Sequence, residues 1–180
     1  GAELAVGEHR DEITRRRALQ RHSGPAELAA ELDPSTVITP AVELISREME
    51  AAITTPGSRL IITMPPQEGK TTLAIHAVLR ALQHNPDHRV LYLSYSEELA
   101  VRSSAEARNL IARHGSDARD PLTGMAMPDQ LGLSLAADKS AAGSWKIKGR
   151  KGGMIGVGLG GTITGRPADK IVIDDPTKGM

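Results

Sequence analysis

Residues 59–72 have the sequence RLIITMPPQEGKTT, which is the strongest indication of the fold. The apolar run at 59–64 predicts a short β-strand, which the Pro-Pro pair ends because proline has no backbone N–H to donate to a sheet. Apolar residues at helical spacing then predict a helix over 70–84. A strand, a tight loop with Gly-Lys-Thr and a helix, in that order, are the context of a phosphate-binding loop.

The residue types of this loop suit a nucleotide phosphate. Lys70 would reach the β- and γ-phosphates, and the Thr71 hydroxyl would ligate Mg²⁺. The usual motif starts with Gly where this chain has Met64, and the next two residues are prolines without N–H groups. The N–H groups that bind phosphate are therefore expected from Gln67, Glu68, Gly69, Lys70, Thr71 and Thr72. An ordinary helix start with an exposed lysine is the alternative.

Two adjacent carboxylates follow a second apolar run, in the sequence KIVIDD at 170–175. Three consecutive apolar residues predict a buried strand, and ligands of open parallel sheets bind beyond the carboxyl ends of the strands. The phosphate-binding loop is expected at the same edge of the sheet. Asp174 would hold Mg²⁺ through a water molecule, and Asp175 would act as the general base on the attacking water. Two exposed loop aspartates are the alternative.

The remaining pattern predicts an α/β protein. Helices are expected at 10–22, 25–32, 41–53 and 96–115, a strand at 90–95, and a loop-rich stretch at 115–144. Alternating strands and helices are typical of a parallel sheet. We expect a P-loop NTPase fold, with a mainly parallel, incomplete sheet flanked by helices and a Gly-rich β-hairpin insertion. Residues 1–35 would form an N-terminal helical segment and residues 36–180 the ATPase domain.

Residues 149–165, GRKGGMIGVGLGGTITG, are rich in glycine. Gly156, Gly158 and Gly161 match the GxGxxG fingerprint of dinucleotide-binding folds by letter. The context differs, because TITGRP after the last of these glycines is not helical and no acidic residue lies at the expected distance. We interpret the segment as a β-hairpin or a mobile loop whose backbone can approach a ligand or a neighbouring subunit closely.

Basic residues form a local stripe in the last third of this neutral chain. The stripe comprises Lys139, Lys146, Lys148, Arg150, Lys151, Arg166 and Lys170, and Asp169 is the only acidic residue between 139 and 170. Such a stripe fits contacts with phosphates, either of ATP or of nucleic acid, and a solvated charged hairpin is the alternative. Arg166, held between Gly165 and Pro167, could reach a triphosphate bound to the next subunit.

Composition excludes several classes of protein. The 22 basic and 22 acidic side chains cancel, which excludes a globally basic nucleic-acid-binding protein. Cysteine is absent, so disulfide scaffolds and Cys zinc sites are excluded, and the six histidines lack metal-ligand spacing. With 2% aromatic residues, stacking on single-stranded bases is not the main binding mode. No long apolar run or signal-peptide core is present, so we expect a soluble, cytosolic protein without membrane contact.

With these motifs, the chain resembles the ATPase domain of the large terminase subunit of tailed bacteriophages. The resemblance is carried by PPQEGKTT at 65–72, VLYLSYSEELAVRSS at 90–104, GGMIGVGLGGTITGRPAD at 152–169 and IVIDDPTK at 171–178. The last two stretches, adjacent and in this order, are the most specific. The match assigns Lys70 and Thr71 to the Walker A motif, Asp174 and Asp175 to the Walker B motif, and Arg166 to a candidate arginine finger.

The resemblance implies a motor that hydrolyses ATP with Mg²⁺ and moves double-stranded DNA into a procapsid. It further implies a homo-oligomeric ring, a portal protein and a small terminase subunit as partners, and a location in the host cytoplasm at the procapsid portal. The family also implies later sheet strands and a nuclease domain beyond Met180, so we expect weak or no ATPase activity from this fragment alone. Two alternatives are a helicase-like P-loop ATPase acting on nucleic acid and a non-hydrolysing nucleotide-binding interaction module.

Overall fold

In the described residues, four helices precede the first strand, and a fifth helix separates that strand from the other four. The computed structural model describes residues 2–65, 67–161 and 165–177, together with their side chains except at 2–5 and 8. The helices are α1 (Ala2–Arg21), α2 (Pro25–Leu32), α3 (Pro40–Thr54), α4 (Lys70–His84) and α5 (Glu97–His114). The strands are β1 (Arg89–Ser94), β2 (Leu135–Ala141), β3 (Ser144–Ile147), β4 (Gly153–Gly158) and β5 (Lys170–Ile173). The predicted helices are confirmed, except that α1 begins at Ala2 rather than at residue 10.

The five strands form one mixed sheet in the order β2-β3-β4-β1-β5. Strand β1 is an interior strand that pairs in parallel with β4 on one side and β5 on the other. The prediction that the apolar run of β5 is buried was wrong, because β5 lies at the edge of the described sheet, and Ile171 and Ile173 are 61% and 57% exposed. Strands β2, β3 and β4 pair antiparallel in a meander, and β2 lies within the stretch at 115–144 that the sequence predicts to be loop-rich. The protein is therefore an α/β protein whose sheet is flanked by helices. The sheet is mixed rather than mainly parallel, because the hairpin of β2 and β3 extends it on the β4 side.

Helix boundaries follow the local capping chemistry. The Thr39 side chain accepts a hydrogen bond from Val42 N before α3, and the Ser96 side chain accepts one from Leu99 N before α5. Side-chain oxygens at these positions satisfy amide groups that have no partner within the helix. Helix α4 instead starts after Gly69, whose φ of 81° lies in the left-handed region that glycine adopts without steric cost.

One face of the sheet packs against α4 and α5. Tyr92 and Met154 of neighbouring strands are fully buried there together with Leu79 and Leu82 of α4. Trp145 of β3 is also buried, and its indole Nε1 donates to Ser104 O of α5 at 3.0 Å. Burying a large apolar side chain contributes roughly 1.5–3 kcal/mol, so this layer fixes β1 and α4 relative to each other.

Part of the Gly-rich segment forms the second strand of an antiparallel hairpin with β3, as predicted, but the hairpin is not an insertion. Residues Gly153–Gly158 form β4, which lies inside the sheet between β3 and β1. A Cβ atom at Gly156 would lie 2.4 Å from Ala100 O, and one at Gly158 would lie 2.6 Å from Glu97 N. The glycines therefore let α5 pack directly on the backbone of a strand.

The apolar run at 59–64 does not form the predicted strand. Within the ranges that the structure describes, no strand pairs with it, and Ile61 is 93% exposed. The segments before and after the run contact β5 and the residue that follows it. Lys170 Nζ donates to Ile53 O at 2.6 Å, and Thr71 Oγ1 donates to Asp174 Oδ2. A strand needs a neighbour for its backbone groups, and the apolar pattern alone does not reveal whether that neighbour exists.

A buried arginine joins the N-terminal helices to α4. Arg80 is 1% exposed, and its guanidinium donates to Glu50 of α3, with Nε 3.0 Å from Glu50 Oε2. It also donates to the backbone oxygens of Ala18 and His22, at the end of α1 and just beyond it. The charge is thus paired and hydrogen-bonded, as burial requires. Among the helices that the structure describes, none is long and apolar enough to cross a membrane.

Candidate functional site

The Gly-Lys-Thr turn and the paired carboxylates meet in space. Lys70 and Thr71 form the first turn of α4, and Asp174 and Asp175 directly follow β5. Thr71 Oγ1 donates to Asp174 Oδ2 at 2.8 Å, across 103 positions of sequence. Lys70 Nζ is hydrogen-bonded to Asp175 Oδ1 and lies 3.9 Å from Asp174 Oδ1. The structure therefore brings together all four of these predicted residues.

Asp174 is the buried carboxylate of the pair. It is 7% exposed, and its Oδ2 accepts hydrogen bonds from Thr71 Oγ1 and, at 2.9 Å, from the hydroxyl of Tyr92. Burial and then the charge of Asp174 raise the pKa of Tyr92 well above its ordinary value, so the phenol stays protonated and can donate. Charge-assisted hydrogen bonds of this kind are roughly twice as strong as neutral ones.

Sequence reasoning missed Tyr92, although a signal was present. The residue lies in β1 opposite Val172, one strand away from the carboxylates. In the sequence it is one residue of the predicted strand at 90–95. A tyrosine inside such a strand must find a partner for its hydroxyl, and the end of the adjacent strand carries the polar groups.

Asp175 is the exposed carboxylate and forms an ion pair with Lys70. Its side chain is 54% exposed, and that of Lys70 is 34% exposed. The hydrogen bond to Asp175 raises the pKa of Lys70, and the two carboxylates add to the effect by Coulomb attraction. The lysine is therefore held as a cation at the opening between α4 and β5.

Backbone strain occurs on both sides of this opening. Among the described residues, Gln67 (φ 65°) and Asp175 (φ 44°) are the non-glycine residues with positive φ. The Asp175 carbonyl accepts a hydrogen bond from Tyr95 N at 3.1 Å, which ties the strained turn to the end of β1. Strained backbone persists only where its surroundings fix it, and it concentrates at functional sites.

The predicted phosphate cradle is open to solvent. Gln67, Glu68 and Gly69 are exposed, as is Thr72, and Pro66 lies outside the described residues. The first intrahelical bond of α4 is from Leu73 N to Gly69 O at 2.9 Å. Amide groups at the start of a helix have no intrahelical acceptor and carry partial positive charge. Together with Lys70, this end of α4 suits an anion.

Arg166 does not lie with these residues. It lines a cleft of about 400 Å³ with Ile155 and Val157 of β4 and Glu97 of α5. Strand β1 lies between β4 and β5. The cleft that Arg166 lines is on the β4 side of β1, and the carboxylates follow β5 on the other side. In the described part of the chain it contacts neither Lys70 nor the aspartates, and residues 162–164 beside it lie outside that part.

The basic stripe is partly neutralised. Lys148 Nζ pairs with an Asp117 carboxylate oxygen at 3.0 Å, and Arg150 lies 3.9 Å from Asp87. Lys170 Nζ donates a hydrogen bond to the backbone oxygen of Ile53, near the end of α3. Three further members are exposed on or beside the β2–β3 hairpin: Lys139, Lys146 and Lys151. In the part of the chain that the structure describes, these lysines and the exposed Arg166 form no ion pair and are the members of the stripe best placed for phosphate contacts.

The carboxylates that face Lys70 are those of Asp174 and Asp175. Among the residues that the structure describes, no group of three or more His, Asp or Glu side chains converges to hold a metal ion.

Comparisons of the chain with protein-family models, with curated proteins and with solved structures found no match. Proposals about function therefore rest on the geometry of the residues themselves and on the sequence resemblance.

Proposed function

We propose that the chain is the P-loop ATPase domain of a DNA-packaging large terminase subunit, which hydrolyses ATP with Mg²⁺. One observation carries this proposal. Lys70 at the start of α4 and Asp175 at the end of β5 are 105 positions apart in sequence and form an ion pair. A helix N-terminus with a lysine, facing two carboxylates at the carboxyl edge of a sheet, is the arrangement that phosphoryl-transfer chemistry needs.

The donor set fits a magnesium–nucleotide complex. Magnesium prefers oxygen ligands and is usually held by one or two carboxylates and by substrate phosphates. Asp174 and the Thr71 hydroxyl supply the protein oxygens, which are already 2.8 Å apart. Mg²⁺ bound there would neutralise charge that develops on the phosphates during transfer.

Each residue then has a distinct task in hydrolysis. Lys70 exchanges its ion pair with Asp175 for an interaction with the β- and γ-phosphates, as its position at the helix N-terminus allows. That exchange frees the exposed Asp175 carboxylate to accept a proton from the attacking water. Gln67, Glu68 and Gly69 contribute backbone N–H groups, and the Glu68 side chain points into solvent. Asp174 stays buried and holds the cation.

The proposed substrate of the motor is double-stranded DNA. The exposed lysines at 139, 146 and 151 offer sequence-independent contacts with phosphates. By the sequence resemblance, we further propose a ring of copies, contacts with a portal protein and a small terminase subunit, and a location at the procapsid portal in the host cytoplasm. Arg166, remote from the site of its own chain, is available to act on a neighbouring copy as an arginine finger.

ATP turnover with and without DNA tests the proposal. We expect slow Mg²⁺-dependent hydrolysis that rises with duplex DNA and is abolished in a Lys70→Ala variant. A Lys146→Ala variant is the matched control, because it removes an exposed lysine from the hairpin and should leave DNA-independent turnover unchanged. Stimulation by single strands but not by duplex DNA would favour the helicase-like alternative. Nucleotide binding without any turnover, even in the presence of duplex DNA, would favour the non-hydrolysing module.

A further inference from the structure

The hydroxyl of Tyr92 contacts the carboxylate site from inside the sheet. Tyr92 lies in the middle of β1, and none of its surface is exposed. Its hydroxyl donates to Asp174 Oδ2 at 2.9 Å. Most buried polar groups need a partner, but a backbone carbonyl would have sufficed for this one. Here the partner is a carboxylate of the proposed nucleotide site, which suggests a role beyond satisfying the phenol.

The two oxygens of Asp174 have different surroundings. Oδ2 accepts hydrogen bonds from both Tyr92 and Thr71, at 2.9 Å and 2.8 Å. Oδ1 faces the opening and lies 3.9 Å from Lys70 Nζ. One oxygen is thus anchored to the protein, and the other is directed to the part of the site where phosphates would bind. Fixing the first oxygen fixes the direction of the second.

The two donors differ in how firmly they are held. Tyr92 belongs to β1, which has a parallel neighbour on each side over the residues around it. Thr71 belongs to the first turn of α4, beside the exposed loop at 67–69. Its contact with Asp174 therefore depends on where that loop lies. The contact from Tyr92 does not, since it comes from a strand that is paired on both sides.

We propose that Tyr92 is a positioning residue for Asp174. Its hydroxyl holds the carboxylate in the orientation that receives the divalent cation accompanying the nucleotide, before either is bound. The role rests on the proposed function, since it requires a magnesium–nucleotide complex at Asp174. Groups that orient a metal-binding carboxylate typically change metal affinity about 10–100-fold when they are removed.

A Tyr92→Phe variant tests this role, because it removes the hydroxyl and keeps the buried ring. The readout is equilibrium binding of a fluorescent, non-hydrolysable ATP analogue during a Mg²⁺ titration. We expect the Mg²⁺ concentration at half-maximal binding to rise about tenfold. Binding without Mg²⁺ should not change. Tyr95→Phe is the matched control, because Tyr95 reaches Asp175 only through its backbone N–H.

A double-mutant cycle separates positioning from general packing. In the D174N background, Tyr92→Phe should cause no further rise in the Mg²⁺ requirement, because the oriented carboxylate is already gone. A lowered thermal midpoint with equal loss of Mg²⁺-dependent and Mg²⁺-independent binding would show a purely structural role. An unchanged Mg²⁺ requirement in Tyr92→Phe would also overturn the inference. If the wild-type chain bound no nucleotide at all, the proposed function would fail, and this role with it.

Discussion

Thr71 Oγ1 and Asp174 Oδ2 are 2.8 Å apart and join the first turn of α4 to the end of β5. Their hydrogen bond places a hydroxyl and a carboxylate on one small opening, with Lys70 and Asp175 on its rim. The opening is closed at its base by Tyr92. Two chain segments that are 103 positions apart in sequence therefore build one polar site.

The two carboxylates should fail in different ways. Asp175→Asn keeps the shape of the side chain but not its basicity, so we expect normal MgATP binding and a loss of turnover of about 10²–10⁴-fold. Asp174→Asn should instead raise the Mg²⁺ concentration needed for binding, because we propose that the buried Asp174 holds the cation. Parallel Mg²⁺ titrations of binding and turnover compare them. Identical curves for the two variants would contradict this division of roles.

Arg166→Ala should leave ATP affinity unchanged, because Arg166 lies across β1 from the carboxylates. If it acts as a finger on a neighbouring copy, turnover in assembled rings should fall by about 10³–10⁵-fold. Mixing with Lys70→Ala subunits, which keep Arg166, should restore part of the activity. Full ATPase activity with a shallower salt dependence of DNA binding would instead assign Arg166 to contacts with DNA phosphates.

Sequence alone predicts the parts of this site that local patterns encode. The start of α4 follows from Gly69 and the helical spacing after it, and the position of Asp174 follows from the apolar run of β5. Because the carboxyl ends of parallel strands and the following helix N-termini share one edge, the meeting of the two motifs was also predictable. The contacts of Lys70 and Thr71 with the aspartates confirm that expectation.

The parts that depend on neighbours in space were not predictable. The run at 59–64 has the composition of a strand, but it pairs with no strand in the part of the chain that the structure describes. The glycines of β4 indicated a hairpin or a mobile loop. The close packing of α5 on the sheet, which these glycines permit, depends on a neighbour that the local pattern does not reveal. Tyr92 is read from the sequence as core, and only the register with β5 shows that it reaches Asp174. Each case depends on tertiary contacts that overrule local propensity.

Arg80 should be essential for stability rather than for nucleotide binding. Arg80→Met removes a buried guanidinium together with its hydrogen bonds to Glu50, Ala18 and His22, and leaves His84 as the remaining side-chain partner of Glu50 in the described part of the chain, which we expect to cost about 1.5–3 kcal/mol of unfolding free energy. Arg16→Met is the control, since the Arg16 side chain is 72% exposed and its loss should change stability by less than about 0.5 kcal/mol. Urea unfolding measures both. Equal midpoints for the two variants would show that α1 and α3 do not depend on Arg80.

Acid should weaken the junction between β1 and β5. Arg89 donates to both carboxylate oxygens of Asp169, at 2.8 and 3.0 Å, and this pairing holds the pKa of Asp169 well below its usual range. A lowered pKa in the folded state means that the contribution is present above the unfolded value near 3.8 and is lost as pH falls below it. Urea midpoints at pH 7 and pH 3 should therefore differ less in Asp169→Asn than in wild type. The exposed Asp138, substituted in the same way, should leave the difference unchanged.

Binding of ATP to the wild-type chain and to Lys70→Ala, measured by calorimetric titration in Mg²⁺, tests the central claim most directly. A charge-assisted hydrogen bond contributes about 1.5–3 kcal/mol, so we expect the affinity of Lys70→Ala to fall roughly 10–100-fold. Lys146→Ala should bind like wild type, and all three proteins should share one thermal midpoint to within a few degrees. Equal ATP affinity of wild type and Lys70→Ala would contradict the assignment of a phosphate-binding loop at the start of α4.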